Sequence, residues 1–291
     1  NGDKNMKGYV IALVLAVIVI ALASWGNPAG AQVGDLPLMV IIALGVFAIQ
    51  WLGLVHASAF TTERYYDLVG SLTYISVVLI ALSFSPLIAT EQWLIAGCIV
   101  VWASRLGSFL FRRVLAVGED QRFREIKKST PRFLVAWTLQ GVWVFITSSA
   151  GVAAILAPNP NPVPAVFIVG LALWVIGFAL EVIADKQKQQ FRQNPANAGK
   201  FIQSGLWARS QHPNYFGEIV LWIGVAVMTI TCLEGASYVF LLSPLLVILL
   251  LTRVSGIPTL RRTAKARWGD DPEYQAYCKN TPVLVPRLGS R

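Results

Sequence analysis

The chain alternates between long blocks with almost no charged side chains and short stretches where Lys, Arg, Asp and Glu gather. Apolar runs occupy residues 8–26, 36–60, 68–88, 93–111, 133–157 and 163–183. A longer run, 215–252, is broken at Leu233, Glu234 and Gly235 and reads as two spans, 215–232 and 236–252, joined by a tight turn. Crossing a hydrocarbon core of roughly 30 Å takes about 20 residues of helix. The pattern therefore predicts an all-α, polytopic transmembrane helix bundle of eight spans, or seven if one of the last two does not cross. It forms a single integral membrane domain over residues 1–291, with a tail from 253 to 291.

Charge placement supports this count. With the N-terminus inside, the even-numbered connections and the tail are cytoplasmic and should hold the Lys and Arg. The connections 27–35, 89–92, 158–162 and 233–235 contain Asp35, Glu91 and Glu234 but no Lys or Arg. All 24 basic residues fall at the N-terminus, in the cytoplasmic loops and tail, or at the cytoplasmic ends of helices. Both termini are thus expected inside. The long loops 112–132 and 185–214, which mix basic, polar and aromatic residues, place the expected site on the cytoplasmic side, in a pocket between helices.

Composition then excludes a soluble enzyme. Of 291 residues, 55% are hydrophobic and 13% charged, against about 25% charged in soluble chains. The net charge of +9 is a topology signal first and gives no reason to expect nucleic acid. Cys98, Cys232 and Cys278 are widely spaced and suggest neither a disulfide framework nor a metal site. The first block lacks a small-residue cleavage site and reads as a span. Asn1 to Asn5 precede Met6 and read as an appended sequence, and Leu284 to Ser290 partly resembles a protease-site remnant.

Charged groups at membrane depth are costly and usually functional. Arg105, Glu181, Glu218 and Asp67 all fall in the cytoplasmic leaflet; the bland alternative is snorkelling or a buried ion pair. The densest polar signal runs from Gly205 to Glu218, through Arg209, Ser210, Gln211, His212, Pro213, Asn214 and Tyr215. Pro213 suits the first turn of a helix, which places Asn214 and Glu218 on one face with Tyr215 beside Glu218. A helix N-terminus beside Arg209 is an anion site for a phosphate or carboxylate. A two-histidine metal site with His56 lacks the needed spacing, so no metal is expected and His212 is read as a hydrogen-bond donor. Arg105 and Arg112 share a helix face and suit phosphate; Asp120 and Arg122 either order their loop or contact ribose and phosphate. Glu181, Asp185 and Lys188, followed by Phe191 and Arg192, continue one face out of the sixth span. No glycine-rich dinucleotide fingerprint or phosphate loop is present, so a nucleotide would bind without a Rossmann sheet.

The order Trp102, Arg105, Glu119-Asp120, Arg122-Phe123, Gln140, Ala184-Asp185, Gln187, Gly205-Leu206-Trp207, Ser210, His212-Pro213-Asn214-Tyr215-Phe216-Gly217-Glu218 and Val254 to Pro258 resembles the bacterial branch of the membrane steroid 5α-reductase family, over roughly residues 60–287. The resemblance implies an NADPH-dependent reductase that delivers hydride to the β-carbon of an enone, such as a 3-oxo-4-ene steroid, while a protein acid polarises the carbonyl. It associates Asp185, Arg192, Asn214 and Glu218 with NADPH, and by context Arg105, Asp120, Arg122, His212 and Tyr215; Arg112 and Arg209 join them as the phosphate-binding arginines read from the residues themselves. For the polarising acid it offers Glu63, Tyr65, Tyr66 and Asp67 at the start of the third span, and Tyr74 two turns deeper. The implied protein is a monomer of the bacterial inner membrane that takes a lipophilic enone from the bilayer and its cofactor from the cytoplasm.

A competing expectation is a membrane methyltransferase using S-adenosylmethionine, since isoprenylcysteine and phospholipid methyltransferases resemble the Arg209 to Gly217 stretch. The charged loop 112–132 favours the larger dinucleotide. A non-enzymatic transporter or lipid-binding protein is disfavoured because the polar groups crowd one leaflet and do not form a path across.

Overall fold

The computed structural model describes residues 2–86, 88–158 and 160–287, with side chains from residue 6 onward; Leu288 to Ser290 of the C-terminal stretch lie outside the described residues. Apart from one small hairpin, its regular structure is helical, an all-α polytopic membrane bundle. The helices are α1 (Gly2–Trp25), α2 (Leu38–Ala59), α3 (Tyr66–Ser83), α4 (Thr90–Val117), α5 (Thr130–Leu156), α6 (Pro164–Gln193), α7 (Pro213–Thr229), α8 (Ser243–Leu249), α9 (Ile257–Trp268) and α10 (Pro272–Asn280). Strands β1 (Gln32–Val33) and β2 (Leu36–Pro37) pair antiparallel, Val33 opposite Leu36, so the second span begins two residues later than the hydropathy suggests.

Seven helical runs among the described residues are long and apolar enough to cross a membrane. They comprise α1 from Met6, α2 to α6, and the run Gly235–Trp268. The expected span 215–232 is present as α7, but its 17 residues rise only about 26 Å at 1.5 Å each. The eighth apolar helix is therefore present, and its 17 residues lie at the lower end of the lengths that can cross.

The chain forms two compact units. In the first, Asn1–Pro164 with Thr229–Ser243, α1 to α4 all pack on α5. Its inner half is buried almost continuously from Gly141 to Leu156. Small residues make this possible: Ser148, Ser149, Ala150, Gly151, Ala153 and Ala154 present little side chain on any face. Their hydroxyls are absorbed locally, Ser148 Oγ donating to Val144 O at 2.7 Å and Ser149 Oγ to Ile146 O at 2.7 Å, as Ser and Thr do in membrane helices.

The second unit, Ala165–Met228 with Pro244–Arg291, is organised by a glycine seam between α6 and α7. A Cβ on Gly217 would sit 2.6 Å from both Glu181 N and Gly177 O, and one on Gly170 would sit 2.5 Å from Met228 N. These obstacles are backbone atoms and cannot swing aside. Seven residues separate Gly170 from Gly177 and Gly217 from Gly224, about two turns, so each pair lies on one face. Small residues let helices in lipid approach at backbone distance. The seam brings Asn214 and Glu218 of α7 against Glu181 and Asp185 of α6. Gly217→Leu should force these helices apart and lower the thermal unfolding midpoint in detergent, a loss of roughly 1–3 kcal/mol or more. The same change at Gly97, which meets nothing within 4 Å, should have little effect.

Candidate active site

In the first unit, the loop 118–129 is clasped to the entry of α3. Glu63, buried at the turn before α3, accepts from Asp120 N at 2.9 Å through one oxygen and from Lys127 Nζ at 2.7 Å through the other. Arg122 closes a second tie: its Nη2 reaches Asp120 Oδ2 at 2.6 Å and Asp67 Oδ2 at 3.2 Å, with Arg113 3.7 Å from Asp120. Between these ties Phe123 inserts among Leu54, Ala57, Phe133 and Trp137. Burial works against the charge on Asp120, but the hydrogen bonds and charge of Arg122, with Arg113, win and hold its carboxyl below the usual range.

Of the residues expected to polarise a carbonyl, Glu63 and Asp67 thus act as acceptors within this clasp. Tyr66 donates its hydroxyl to Ala136 O at 2.8 Å and packs against Phe123 and Trp137. Tyr74 lies deeper, its hydroxyl 2.5 Å from Thr147 Oγ1 and its ring edge-on to Trp102. Since Thr147 Oγ1 donates to Trp143 O at 2.8 Å, Tyr74 is the donor in its own pair. Tyr65 stacks on Phe111 and meets the His56 ring edge-on. Arg105 lies over Phe109, 5.1 Å from the ring centre, and Arg112 is exposed. Asp120 and Arg122 order their own loop.

The second unit gathers the other expected residues in two layers. Innermost are Glu181, Asp185 and Glu218, all buried, with Asn214 Nδ2 3.3 Å from Asp185 Oδ1. Asn214 Oδ1 has no hydrogen-bond partner among the described residues. His212 caps α7, its carbonyl accepting from Phe216 N, and stacks on Tyr215 at 5.6 Å. Arg209 is exposed, and its carbonyl accepts from Arg287 N at 3.0 Å.

The outer layer is a cavity of about 150 Å³ between the end of α6, the loop that follows it, and α9 and α10. Among the described residues its lining includes Lys188, Arg192, Lys200, Arg261 and Arg267 and no carboxylate. Phe191, Phe201, Trp207, Trp268, Tyr274 and Tyr277 supply flat apolar walls. The walls are fixed by backbone contacts: Trp207 Nε1 donates to Ala184 O at 3.0 Å, Trp268 Nε1 to Gly199 O at 2.6 Å and Tyr277 OH to Trp207 O at 2.7 Å. Lys188 Nζ lies 4.2 Å over the Trp207 ring. His212 lines the cavity with a buried Nδ1 that has no partner among the described residues. Basic side chains, aromatic planes and an open imidazole nitrogen suit a polyanion that carries a ring, as a dinucleotide does.

Of the expected cofactor residues, Arg192 and His212 line this cavity. Lys200, Arg261, Arg267, Trp268 and Tyr274 were not foreseen, although the run Arg261-Arg262, Lys265, Arg267-Trp268 carries the same basic-aromatic signature as the loops. The C-terminal segment is docked as well: Gln211 Nε2 donates to Thr281 O at 2.7 Å and Ser210 Oγ to Leu284 O at 2.7 Å. The residues read as a protease-site remnant thus begin with one that holds the turn before α7.

Comparisons with known proteins give the family. A family model described as "Protein of unknown function (DUF1295)" matches residues 53–281. The chain belongs to this family, and it is steroid 5α-reductase-like. The match spans the clasp, the seam and the basic cavity. Among curated relatives, a steroid 5-alpha-reductase of Gossypium hirsutum is 40% identical over 22% of this chain and 24% of its own length. A 3-oxo-5-alpha-steroid 4-dehydrogenase 1 of Rattus norvegicus is 27% identical over 41% of each chain, and a Delta(14)-sterol reductase of Mus musculus is 27% identical over 49% of this chain and 35% of its own. The matches thus cover less than half the length of these relatives. No solved structure matches, and no cluster of metal-binding side chains occurs among the described residues of this family member.

Burial, reinforced by Lys188 and Arg261, lowers the His212 pKa from 6.5 to about 3. A histidine whose folded pKa is depressed binds fewer protons folded than unfolded. Its stability contribution is intact above 6.5 and is lost as pH falls from there toward 3. His212→Gln should flatten the acid limb of stability by about 1.4 kcal/mol per pH unit between pH 6.5 and 4, measured as unfolding midpoints at each pH.

Proposed function

We propose that this protein is an NADPH-dependent reductase of a carbon–carbon double bond in a sterol, a steroid or a related enone lipid. The observation that carries the reading is the cavity of the second unit, lined among the described residues by five basic side chains and six aromatic rings. The names of the relatives supply the reaction class. A dinucleotide with a 2′-phosphate matches this lining better than S-adenosylmethionine, whose sulfonium would be repelled by the same cations.

When bound, NADPH supplies a hydride for the β-carbon of the enone. The chain's own tasks are then binding, orientation and protonation. Lys188, Arg192, Lys200, Arg261 and Arg267 hold phosphates, the surrounding rings flank a base, and His212 offers its open nitrogen. Asn214, Asp185 and Glu218 form the polar floor beneath. Polarisation of the substrate carbonyl needs an O–H donor in a dry site. Because Glu63 and Asp67 accept in the clasp, Tyr74 is assigned as that donor: its hydroxyl exchanges the Thr147 oxygen for the substrate's, and Tyr66 is the alternative phenol. The lipid substrate enters sideways from the bilayer, and the cofactor comes from the cytoplasm of a bacterial cell. The multi-pass protein sits in the inner membrane with both termini inside, as a monomer.

Purified protein should gain thermal stability with NADPH by an amount that grows as the ligand exceeds its Kd, about 2.7 kcal/mol at 100 times Kd, and should gain none with S-adenosylmethionine. Arg267→Ala should weaken NADPH binding roughly 10-fold to 100-fold, whereas Tyr74→Phe should leave binding intact and abolish NADPH-dependent reduction of testosterone or progesterone. Stabilisation by S-adenosylmethionine alone would turn the assignment over to a methyltransferase.

A further inference from the structure

Helix α9 is basic on two faces. Arg261, Ala264, Arg267 and Trp268 line the cavity, whereas Arg262 and Lys265, three residues apart, are exposed and do not. Residues at that spacing are neighbours on one side of a helix. Arg253, exposed at the end of the preceding π-helical turn Leu250–Val254, adds a third cation. Residues 253–268 hold five basic side chains and no Asp or Glu, so the segment itself offers nothing to neutralise the outer set.

Connectivity fixes where this face lies. α9 ends the run Gly235–Trp268, which is long and apolar enough to cross a membrane, and only Ser255 and Gly256 separate the π-helical turn from Ile257. Two residues reach about 7 Å at most. Gly256 is pressed onto the preceding turn, where a Cβ would lie 2.6 Å from Leu251 O. The first turn of α9 is therefore held at the mouth of the apolar span, at headgroup depth. Thr259, Arg262, Lys265 and Ala266 on its outer side carry charge but no large apolar anchor. Such a face adheres by electrostatics rather than insertion.

We propose that Arg262 and Lys265, together with Arg253, form a docking surface for anionic phospholipid headgroups of the leaflet beside α9. Two exposed cations hold a free phosphate weakly in water. A charged lipid surface is present at high local density and favours each nearby Lys or Arg by roughly fivefold in association.

The test uses the full chain in phosphatidylcholine nanodiscs that contain either spin-labelled phosphatidylglycerol or spin-labelled phosphatidylcholine, with the protein-restricted lipid fraction read by electron paramagnetic resonance. The expected result is a preference for phosphatidylglycerol that falls about fivefold in Arg262→Ala and further in Arg262→Ala/Lys265→Ala. It should be retained in Arg262→Lys/Lys265→Arg and lost in 1 M NaCl. All of these positions are exposed, and equal unfolding midpoints confirm that the variants fold. An unchanged preference in the double alanine variant overturns the proposal. So does no preference in the wild type, which would leave the face to an acidic protein. Displacement by 10 mM inorganic phosphate at constant ionic strength overturns it too, by revealing a site for soluble phosphate.

Discussion

A charge or an unpaired peptide group is so costly in hydrocarbon that it decides where everything else in this chain can go. Backbone polarity is absorbed by helices, and hydroxyls inside α5 return to its own carbonyls. The few ionisable groups collect where partners can meet them. Glu63 finds Lys127 and the Asp120 amide; Asp67 and Asp120 share Arg122. Each tie satisfies a group that would otherwise be stranded, and together they draw a surface loop down onto the helix that carries Tyr66 and Tyr74.

The same constraint shapes the second unit differently. Its α6–α7 seam uses glycine to bring backbones together, so Asp185 and Asn214 meet in a buried layer. Above that layer the charges change sign. Acidic side chains end, and Lys188, Arg192, Lys200, Arg261 and Arg267 surround a cavity walled by aromatic rings. The arrangement sets a ring of basic side chains over a buried acid layer. It is well suited to a polyanion that binds through its phosphates and presents a neutral ring toward the polar floor.

Hydropathy made the helices legible, and the segregation of Lys and Arg made their number legible to within one. α7 lies at that margin because Pro213 starts it and Thr229 ends it after 17 residues. The i, i+4 spacing of Asn214 and Glu218 correctly foretold a shared face, as did the stripe through Glu181, Asp185 and Lys188. The contribution of α9 and α10 was not legible. Trp268 meets Gly199 and Gln211 meets Thr281 across 69 and 70 positions, and only folding brings such residues together. Glu63 and Asp67 read as candidate polarising acids at the start of the third span, but their partners Lys127 and Arg122 lie more than 50 residues away, so a clasp could not be told from a proton donor.

The central claim is that a dinucleotide is held by the C-terminal part of α6, the loop after it, and α9 with α10. Hydrogen–deuterium exchange on the full chain in nanodiscs, with and without saturating NADPH, tests this most directly. The account predicts added protection concentrated in residues 188–212 and 257–281. Binding of NADPH with protection elsewhere and none in these segments would contradict it.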